Sequence, residues 1–196
     1  MLSILRPALV LLALFTLLTG VAYPLAVTGL ARILAPAQAG GSLVVRDGAV
    51  VGSALIGQAF GADRYFHGRP SATTAPDPAD PAKTVEAPYN AAASSGSNLA
   101  PSATALKEAV AARAAALGVT PAPADLVTAS ASGLDPHVSP QGALVQVARV
   151  AAARGLPEAA VRGLVERHVE DRTFGVLGEP RVNVLALNLA LDALTR

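Results

Sequence analysis

The chain has 196 residues, of which 52% are hydrophobic and only 15% charged, and its formal net charge is +1. Its arginines are scattered rather than clustered, so the basic patch that a nucleic-acid partner requires is not expected. The absence of cysteine excludes disulfides and thiolate metal sites, but it does not choose a cellular compartment.

The N-terminal part of the chain is an apolar run in which residues 7–31 carry no charged side chain. A helix over these residues would rise roughly 37 Å, enough to cross the ~30 Å hydrocarbon core of a membrane. The run therefore predicts one transmembrane helix within residues 1–35. Because a single helix cannot line a pore, any transport path must come from other subunits. Close approach of such a subunit would be allowed by the small residues Gly20, Ala22, Ala26 and Gly29.

A cleaved signal peptide is the alternative for this run, because residues 37–39 (Ala-Gln-Ala) before Gly40 match the small-residue cleavage pattern. Secretory apolar regions are usually only ~7 to 15 residues long, which favours a retained anchor here. The positive charges do not orient the helix. Arg6 and the terminal amine on one side are balanced by Arg32 and Arg46 on the other.

After the apolar run, residues 36–41 are mostly small and predict a linker, and residues 42–196 are long enough for one folded domain. Two valine-rich stretches, 42–45 and 49–56, predict strands at the start of that domain. Between them, the Arg-Asp-Gly sequence of residues 46–48 supplies the positive φ angles that a tight hairpin needs.

The middle of the chain is predicted to be a loop followed by helices. Prolines in and beside residues 71–87 remove backbone donors, which predicts a long exposed loop. A first helix is predicted from an N-cap at Ser102 to Gly118, and a second, better marked at both ends, from an N-cap at Ser139 to Gly155.

The C-terminal part predicts two more helices. One starts at Pro157 and carries a stripe at helical spacing, made of Val161, Leu164, Val165 and His168. Residues 181–196 alternate like a strand but also match a helix, and a helix capped by Asn183 is favoured. Strands followed by helices favour an α+β fold over repeating βαβ units, so we expect one N-terminal transmembrane helix and a single α+β domain.

Residues 52–57 have the glycine spacing of a phosphate-binding loop, but Gln58 and Ala59 replace the lysine and hydroxyl residue that hold phosphate and magnesium. This stretch therefore predicts a buried strand broken by glycine. His67, His137 and His168 lie far apart and lack a second histidine at helical spacing, so no metal site is expected.

One short stretch, residues 128–140, contains serine, histidine and aspartate together. A hydrolase would use Ser130 or Ser132 with His137, but neither serine has the flanking glycines of a nucleophile elbow. Hydroxyls and Asp135 ahead of prolines more often bond backbone groups in a tight turn, which is the favoured interpretation.

Residues 64–71 put two aromatic side chains beside two arginines, a composition that interface centres favour. Partner docking through this stretch is one interpretation. The other, slightly favoured, is a packing corner in which Tyr65 and Phe66 enter the core and the arginines stay in water. The polar residues 94–98 suit either a specific turn or contact with a neighbour.

Several blocks, in order and over nearly the whole chain, make this sequence resemble the C subunit of the Kdp-type potassium-transporting ATPase of bacteria and archaea. The departures are small, such as His67 where the family often has tryptophan and Ala131 where it often has glycine. The blocks that carry the resemblance are residues 23–25, 52–58, 64–66, 68–72, 97–98, 128–140 and 178–185.

The resemblance implies a non-catalytic subunit that works beside a channel-like potassium subunit and a P-type subunit that hydrolyses ATP. It also implies a cytoplasmic N-terminus, an extracytoplasmic domain, no bound cofactor, and a role as a catalytic chaperone that raises the ATP affinity of the pump subunit. ATP is cytoplasmic, so an external domain would act on it only through coupling across the membrane subunits. A membrane-anchored periplasmic serine hydrolase or a free binding module is the alternative.

Twelve residues from the small-residue stripe and the resembling blocks are the candidate subunit contacts. They are Gly20, Ala22, Ala26, Gly29, Arg64, Tyr65, Phe66, Arg69, Asn98, Asp135, His137 and Arg181.

Overall fold

The computed structural model describes residues 2–194 and divides into two compact units, one ending at Val51 and one beginning at Gly52. The first unit holds a long helix in three consecutive parts, a short helix, and a β-hairpin whose second strand runs just past Val51. These elements are α1 (Leu2–Leu17), a π-helical segment (Leu18–Ala22), α2 (Tyr23–Leu34), α3 (Pro36–Ala39), β1 (Leu43–Arg46) and β2 (Ala49–Ser53).

The N-terminal helix confirms the predicted apolar span. The helix Ile4–Leu34 contains a stretch of 18 residues with a mean hydropathy of 2.2, none of it buried, and the helix is long enough to cross a membrane. A π-helical segment lies just before Pro24, which has no N–H and whose ring would clash with the carbonyl four residues back in a regular α-helix. In this segment the Tyr23 N–H bonds to the carbonyl of Leu18, five residues back.

The predicted hairpin after the span is confirmed. Asp47 and Gly48 have φ angles of 52° and 80°, as a tight turn between twisted strands requires. Strand β2 ends at Ser53 rather than at Ile56, because the Ser53 hydroxyl accepts the Leu55 N–H at 3.1 Å and turns the chain. The expected strand over residues 52–57 is therefore wrong beyond Ser53.

The proline-rich stretch is not wholly a loop. It contains an antiparallel hairpin of β3 (Thr74–Pro76) and β4 (Thr84–Glu86). Its prolines lie at the end of β3 or in the connecting loop, where no strand donor is lost, and the Asp77 N–H continues the pairing to the Lys83 carbonyl at 2.9 Å.

The remainder of the second unit is helical around a small antiparallel sheet with strand order β5-β7-β6. The strands are β5 (His137–Val138), β6 (Val169–Glu170) and β7 (Arg181–Asn183). The helices are α4 (Thr104–Leu117), α5 (Ala124–Val127), α6 (Pro140–Leu144), α7 (Val147–Arg154), α8 (Glu158–Arg167) and α9 (Val184–Leu194).

Most of the predicted helix ends are confirmed. Ser139 caps α6 by accepting the Gly142 N–H at 2.8 Å, and Gly118 and Gly155 close α4 and α7 with φ angles of 68° and 64°. The cap of α4 is one residue later than predicted: Ala103 occupies that position, without a side-chain hydrogen bond, instead of Ser102.

The single long helix predicted after Ser139 is broken into α6 and α7. At the break, the Gln146 side chain donates to the Gly142 carbonyl at 3.0 Å, which is the group its own backbone N–H would bond in a continuous α-helix. That N–H bonds instead to the carbonyl of Ala143 at 3.1 Å. The side chain thus interrupts the helix.

The core of the second unit lies between α6–α9 and the sheet, and these fully buried side chains fill it: Phe66, Val147, Val150, Val161, Val165, Val182, Leu187 and Leu191. The predicted stripe of α8 contributes Val161 and Val165. Asn183 caps α9 by accepting the Ala186 N–H at 3.0 Å, which confirms the helical interpretation of the last segment. Antiparallel strands with separate helices confirm the α+β class.

Candidate functional site

The candidate site is built around residues 64–69, which we call the clasped segment. Its backbone is held by two buried carboxamides instead of by a neighbouring strand. The Phe66 N–H donates to Asn188 Oδ1, and Asn188 Nδ2 donates to the Phe66 carbonyl, both at 2.9 Å. Gln146 does the same for His67, at 2.8 and 3.1 Å. Asn188 and Gln146 are 1% and 2% exposed, so each clasp lies out of water.

Tyr65, at one end of the clasped segment, is fixed by charged groups. Its hydroxyl donates to Asp192 at 3.3 Å, and Arg154 pairs with the same carboxylate at 2.7 Å. The guanidinium groups of Arg154 and Arg64 lie 4.9 and 5.1 Å from the centre of the Tyr65 ring. Arg154 is almost completely buried, whereas the Arg64 side chain is 56% exposed. Only Arg64 of these arginines therefore faces solvent to a large extent.

At the other end of the clasped segment, Arg69 pairs with Asp135 at 3.1 Å. The other oxygen of Asp135 accepts the His137 N–H at 3.0 Å and lies 3.6 Å from His137 Nδ1. Burial alone would raise the pKa of Asp135, but the hydrogen bonds from His137 and Arg69 outweigh it and lower that pKa to about 2. Asp135 is thus held ionised by its neighbours.

Tyr89 adds a half-buried phenol to this end of the segment. Its hydroxyl donates to the Arg69 carbonyl at 2.7 Å. Burial, aided by the charge of Asp135, raises the pKa of Tyr89 to about 12, so the phenol stays neutral. A side chain on Gly57 or Gly68 would collide with Tyr89, which explains why glycine stands at both positions.

A polar cleft of about 300 Å³ opens beside Asp135. Its lining includes three carboxylates and two arginines: Asp125, Asp135, Glu179, Arg69 and Arg181. These charges already have partners within the domain. Asp125 accepts the Ser139 N–H at 2.6 Å, and Arg181 pairs with Glu170 at 3.0 Å. Each of the three carboxylates in the polar cleft therefore bonds to another group of the domain, and none of them is left as an unpaired candidate for catalysis.

A second cavity, of about 390 Å³, lies between α4, α7 and the clasped segment and includes His67, Arg113 and Arg149. Burial and the charge of Arg149 lower the pKa of His67, so its imidazole is mostly neutral at pH 7. Arg113 donates to the Val127 carbonyl at 3.0 Å, and Arg149 donates to the Asp63 carbonyl at 2.6 Å. The arginines of this cavity tie its walls together.

The two serines of the hydrolase alternative lie in a tight turn. Ser130 Oγ accepts the Gly133 N–H at 2.9 Å, and Ser132 Oγ accepts the Leu134 N–H at 3.1 Å. The two hydroxyls also contact each other at 3.2 Å, and Ser130 is only 2% exposed. These bonds match the turn interpretation of residues 128–140.

The predicted contact residues differ in their exposure. Four of them, already described, are half-buried: Tyr65, Arg69, Asp135 and His137. Phe66 is fully buried in the core, so its side chain packs inside this domain, as the packing-corner interpretation expected. Asn98 is exposed in a loop with a φ of 51°, and Arg181 is exposed at the end of β7. Gly20, Ala22, Ala26 and Gly29 lie on the N-terminal helix, where almost every described side chain is exposed.

The residues that sequence reasoning missed are those that hold the clasped segment in place: Gln146, Arg154, Asn188 and Asp192. Their partners are far away in the chain, so spacing does not reveal the contacts. One signal was available. Asn188 is a polar residue in the middle of an otherwise apolar helical run, and buried polar side chains in such runs usually have a specific partner.

An exposed apolar helix of membrane-spanning length, followed by an α+β domain, is an arrangement that fits a membrane subunit with one candidate transmembrane helix among the described residues. Residues 5–193 match the family model described as KdpC: K+-transporting ATPase, c chain. The chain therefore belongs to this family, as the sequence resemblance predicted.

Curated relatives agree with the family match over the full length of both proteins. The Potassium-transporting ATPase KdpC subunits of Methylorubrum populi and Rhodopseudomonas palustris are each 63% identical to this chain over 200 residues, covering 100% of both sequences. The protein of the same name from Bradyrhizobium diazoefficiens is 62% identical over 196 residues, covering 98% of each.

Proposed function

We propose that this protein is a non-catalytic accessory subunit of an ATP-driven, high-affinity potassium uptake complex, which it assembles or stabilises. The observation that carries the proposal is the N-terminal helix, whose apolar span Ile4–Leu34 is unburied within the chain. Such a helix requires lipid or other membrane helices around it. Its small residues Gly20, Ala22, Ala26 and Gly29 would allow another helix to pack closely.

The proposed partners are a channel-like subunit that carries potassium and a P-type subunit that hydrolyses ATP on its own aspartate. This chain contains neither an Asp-Lys-Thr-Gly phosphorylation motif nor a Thr-Val-Gly-Tyr-Gly filter, whose carbonyls would replace the water shell of potassium. Both observations support a division of labour in which chemistry and conduction belong to other subunits.

The charged groups of the domain support the same division. Asp135, the most strongly perturbed carboxylate of the polar cleft, is held ionised by Arg69 and His137 and is therefore a poor proton donor at neutral pH. We expect no resident metal or cofactor, and ATP to act only within the complex. In a catalytic-chaperone role, the subunit would raise the ATP affinity of the pump by coupling through the membrane subunits.

Co-purification from mild detergent tests the assembly role. With a tag on the P-type subunit, we expect the full-length chain to elute with the pump and the channel-like subunit. A chain that elutes alone under conditions in which the other subunits stay together would contradict the proposal and favour a free-standing anchored module.

The His137→Ala variant separates the accessory role from the hydrolase alternative. An accessory subunit predicts that the full-length chain alone does not hydrolyse an activated ester above background. Any loss of potassium-dependent ATPase in the variant complex should then parallel a loss of co-purification. His168→Ala is the matched control, because His168 lies outside residues 128–140 and its Nδ1 contacts the Leu164 carbonyl of its own helix at 2.8 Å. Ester hydrolysis that His137→Ala abolishes and His168→Ala preserves would identify a hydrolase.

The proposed orientation, with a cytoplasmic N-terminus and an extracytoplasmic domain, can be tested with one introduced thiol because the natural chain has no cysteine. Ala92 is exposed in a short 3-10 helix of the domain. We expect a membrane-impermeant thiol reagent to label Ala92→Cys in intact spheroplasts. Labelling only after the cells are lysed would place the domain in the cytoplasm.

A further inference from the structure

The connection between β6 and β7 ends in a cluster of exposed apolar side chains. Phe174, Val176 and Leu177 are 90%, 72% and 60% exposed, and we call them the apolar tip. Phe174 differs from other aromatic side chains of this domain in its exposure. Phe66 is completely buried, and Tyr65 packs between two arginines. An exposed aromatic beside two exposed aliphatic residues is typical of a recognition surface.

The apolar tip is an ordered turn. The Thr173 N–H donates to the Leu177 carbonyl at 2.9 Å, and the Leu177 N–H donates back to the Thr173 carbonyl at 3.0 Å. At the base of the turn, Arg172 and Glu179 form an ion pair at 2.5 Å. A turn closed in this way presents its side chains with less ordering cost on binding than a flexible loop would.

The backbone conformation at Phe174, inside the turn, does not favour a phenylalanine. Phe174 has a φ of 56° and the following Gly175 a φ of 75°. Bulky side chains avoid this left-handed region, where glycine and asparagine are the usual residues. Phenylalanine at this position is thus disfavoured twice, by the left-handed backbone and by the exposure of its ring to water. Residues in such backbone conformations cluster at binding sites.

We propose that the apolar tip docks into an apolar pocket on the extramembrane surface of another subunit of the potassium-transporting ATPase. This rests on the proposed function, since it takes the chain to be an accessory subunit beside partner subunits. The family match supports a protein partner, because the family is described as one chain of a multi-subunit ATPase. Phe174 would be the central anchor of the contact, with Val176 and Leu177 around it.

The charges around the apolar tip argue against a lipid surface as its occupant. Membrane-binding loops gain affinity from lysine and arginine near anionic lipids. The segment that carries the tip, residues 170–181, has three acidic and two basic side chains, a net charge of −1. They are Glu170, Asp171, Glu179, Arg172 and Arg181, of which four form the ion pairs Arg172–Glu179 and Arg181–Glu170. Charges of both signs beside an apolar tip suit a protein pocket with a mixed polar rim.

Phe174→Asn is the sharpest test, because asparagine suits the left-handed backbone while removing the aromatic ring. We would titrate detergent-solubilised full-length chain into a complex of the remaining subunits and measure its apparent Kd. Full burial of an aromatic side chain corresponds to about ten- to a hundredfold in an equilibrium constant, so at least a tenfold weaker association is expected. Val176→Asn should weaken association in the same direction, whereas Leu55→Asn, a matched control at a 62% exposed leucine outside the tip, should not.

The thermal stability of the variants makes the result decisive. We expect Phe174→Asn to unfold at the same temperature as the natural chain or slightly above it, so that weaker association cannot be assigned to unfolding. If the natural chain binds and Phe174→Asn binds equally well, the docking of the apolar tip is refuted while the accessory role stands. If the natural chain itself does not bind, the proposed function is refuted.

The lipid and self-association alternatives can be tested with a fluorescent variant, since the chain contains no tryptophan. Phe174→Trp, reconstituted alone in vesicles containing brominated lipid, should emit as a water-exposed indole and escape quenching. Quenching by the brominated lipid would assign the tip to the membrane and overturn the proposal. A dimer of the isolated chain in detergent that Phe174→Asn dissociates would overturn it in favour of a second copy.

Discussion

Replacing Asn188 by leucine should sharply destabilise the domain, because this one carboxamide satisfies both backbone groups of Phe66. The Phe66 N–H and carbonyl are bonded to Asn188 at 2.9 Å each, and Asn188 is 1% exposed. Leucine branches at the same carbon and fills nearly the same space, so the cavity contribution is small. What remains is a buried donor and a buried acceptor without partners.

The expected loss follows from those two groups. Leaving one buried polar group unsatisfied costs about 1–3 kcal/mol, so two together cost about 2–6 kcal/mol. For a domain of this size, 1 kcal/mol lowers the melting temperature by roughly 2–4 °C. We therefore expect Asn188→Leu to lower the melting temperature by about 5–20 °C, a large fraction of the total stability of an ordinary domain.

Circular dichroism melts of the full-length chain in mild detergent would measure this shift. Gln141→Leu is the control, since Gln141 is an exposed amide on α6 and its replacement should change the free energy of unfolding by no more than about 0.5 kcal/mol. Asn188→Asp adds a second comparison, because a carboxylate can accept the Phe66 N–H but cannot donate to its carbonyl. If Asn188→Leu melts within 2 °C of the natural chain, the clasp does not hold the segment and the reasoning fails.

Three further variants test the site. Asp135 has a lowered pKa of about 2, so its stabilisation of roughly 2 kcal/mol should be present above pH 4 and lost as the pH falls towards 2; Asp135→Asn should lack this dependence in unfolding titrations. Asp192→Asn leaves the buried Arg154 without its carboxylate and should cost about 3 kcal/mol in denaturant melts, whereas Asp80→Asn at an exposed pair should cost less than about 1 kcal/mol. Ser139→Ala removes a helix cap and should cost about 1 kcal/mol in the same melts.

The features that sequence reasoning predicted correctly are those that a few adjacent residues determine. Asp47-Gly48 specifies its hairpin through backbone geometry alone, and Ser139 and Gly155 mark helix ends through local hydrogen bonds and a positive φ. The span Ile4–Leu34 follows from composition. None of these requires knowledge of a distant contact.

The features that were missed depend on residues far apart in the chain. The partner of Gln146 is 79 residues away and that of Asn188 is 122 residues away. The break between α6 and α7 was missed for the same reason. The Gln146 side chain donates to the distant His67 carbonyl and also to the Gly142 carbonyl of α6, and the sequence does not reveal either bond. The β3–β4 hairpin was missed because prolines were counted without knowing which backbone groups face the partner strand.

Distant contacts also decide whether the side chains of residues 64–69 pack within the domain or are free to dock onto a partner. Aromatic and arginine side chains together are typical of interfaces, but here Phe66 is buried and two carboxamides hold the backbone of Phe66 and His67 inside the domain, while Arg64 stays exposed. The apolar tip has the opposite character, because its Phe174 contributes little to the domain and faces water. A candidate interface residue is therefore a large apolar side chain that is exposed and packs little within its own domain.

A chaperone effect on nucleotide affinity carries a thermodynamic requirement that the assembly itself can report. If binding of this subunit tightens ATP binding by some factor, then ATP must tighten binding of this subunit by the same factor, whatever path the coupling takes. A typical coupling of about 1–3 kcal/mol corresponds to roughly 5- to 150-fold. Titrating the chain into the remaining subunits with and without a non-hydrolysable ATP analogue measures that factor directly. Equal affinities in the two titrations would leave an assembly role intact and would remove the chaperone role, because a subunit indifferent to nucleotide cannot change how nucleotide binds.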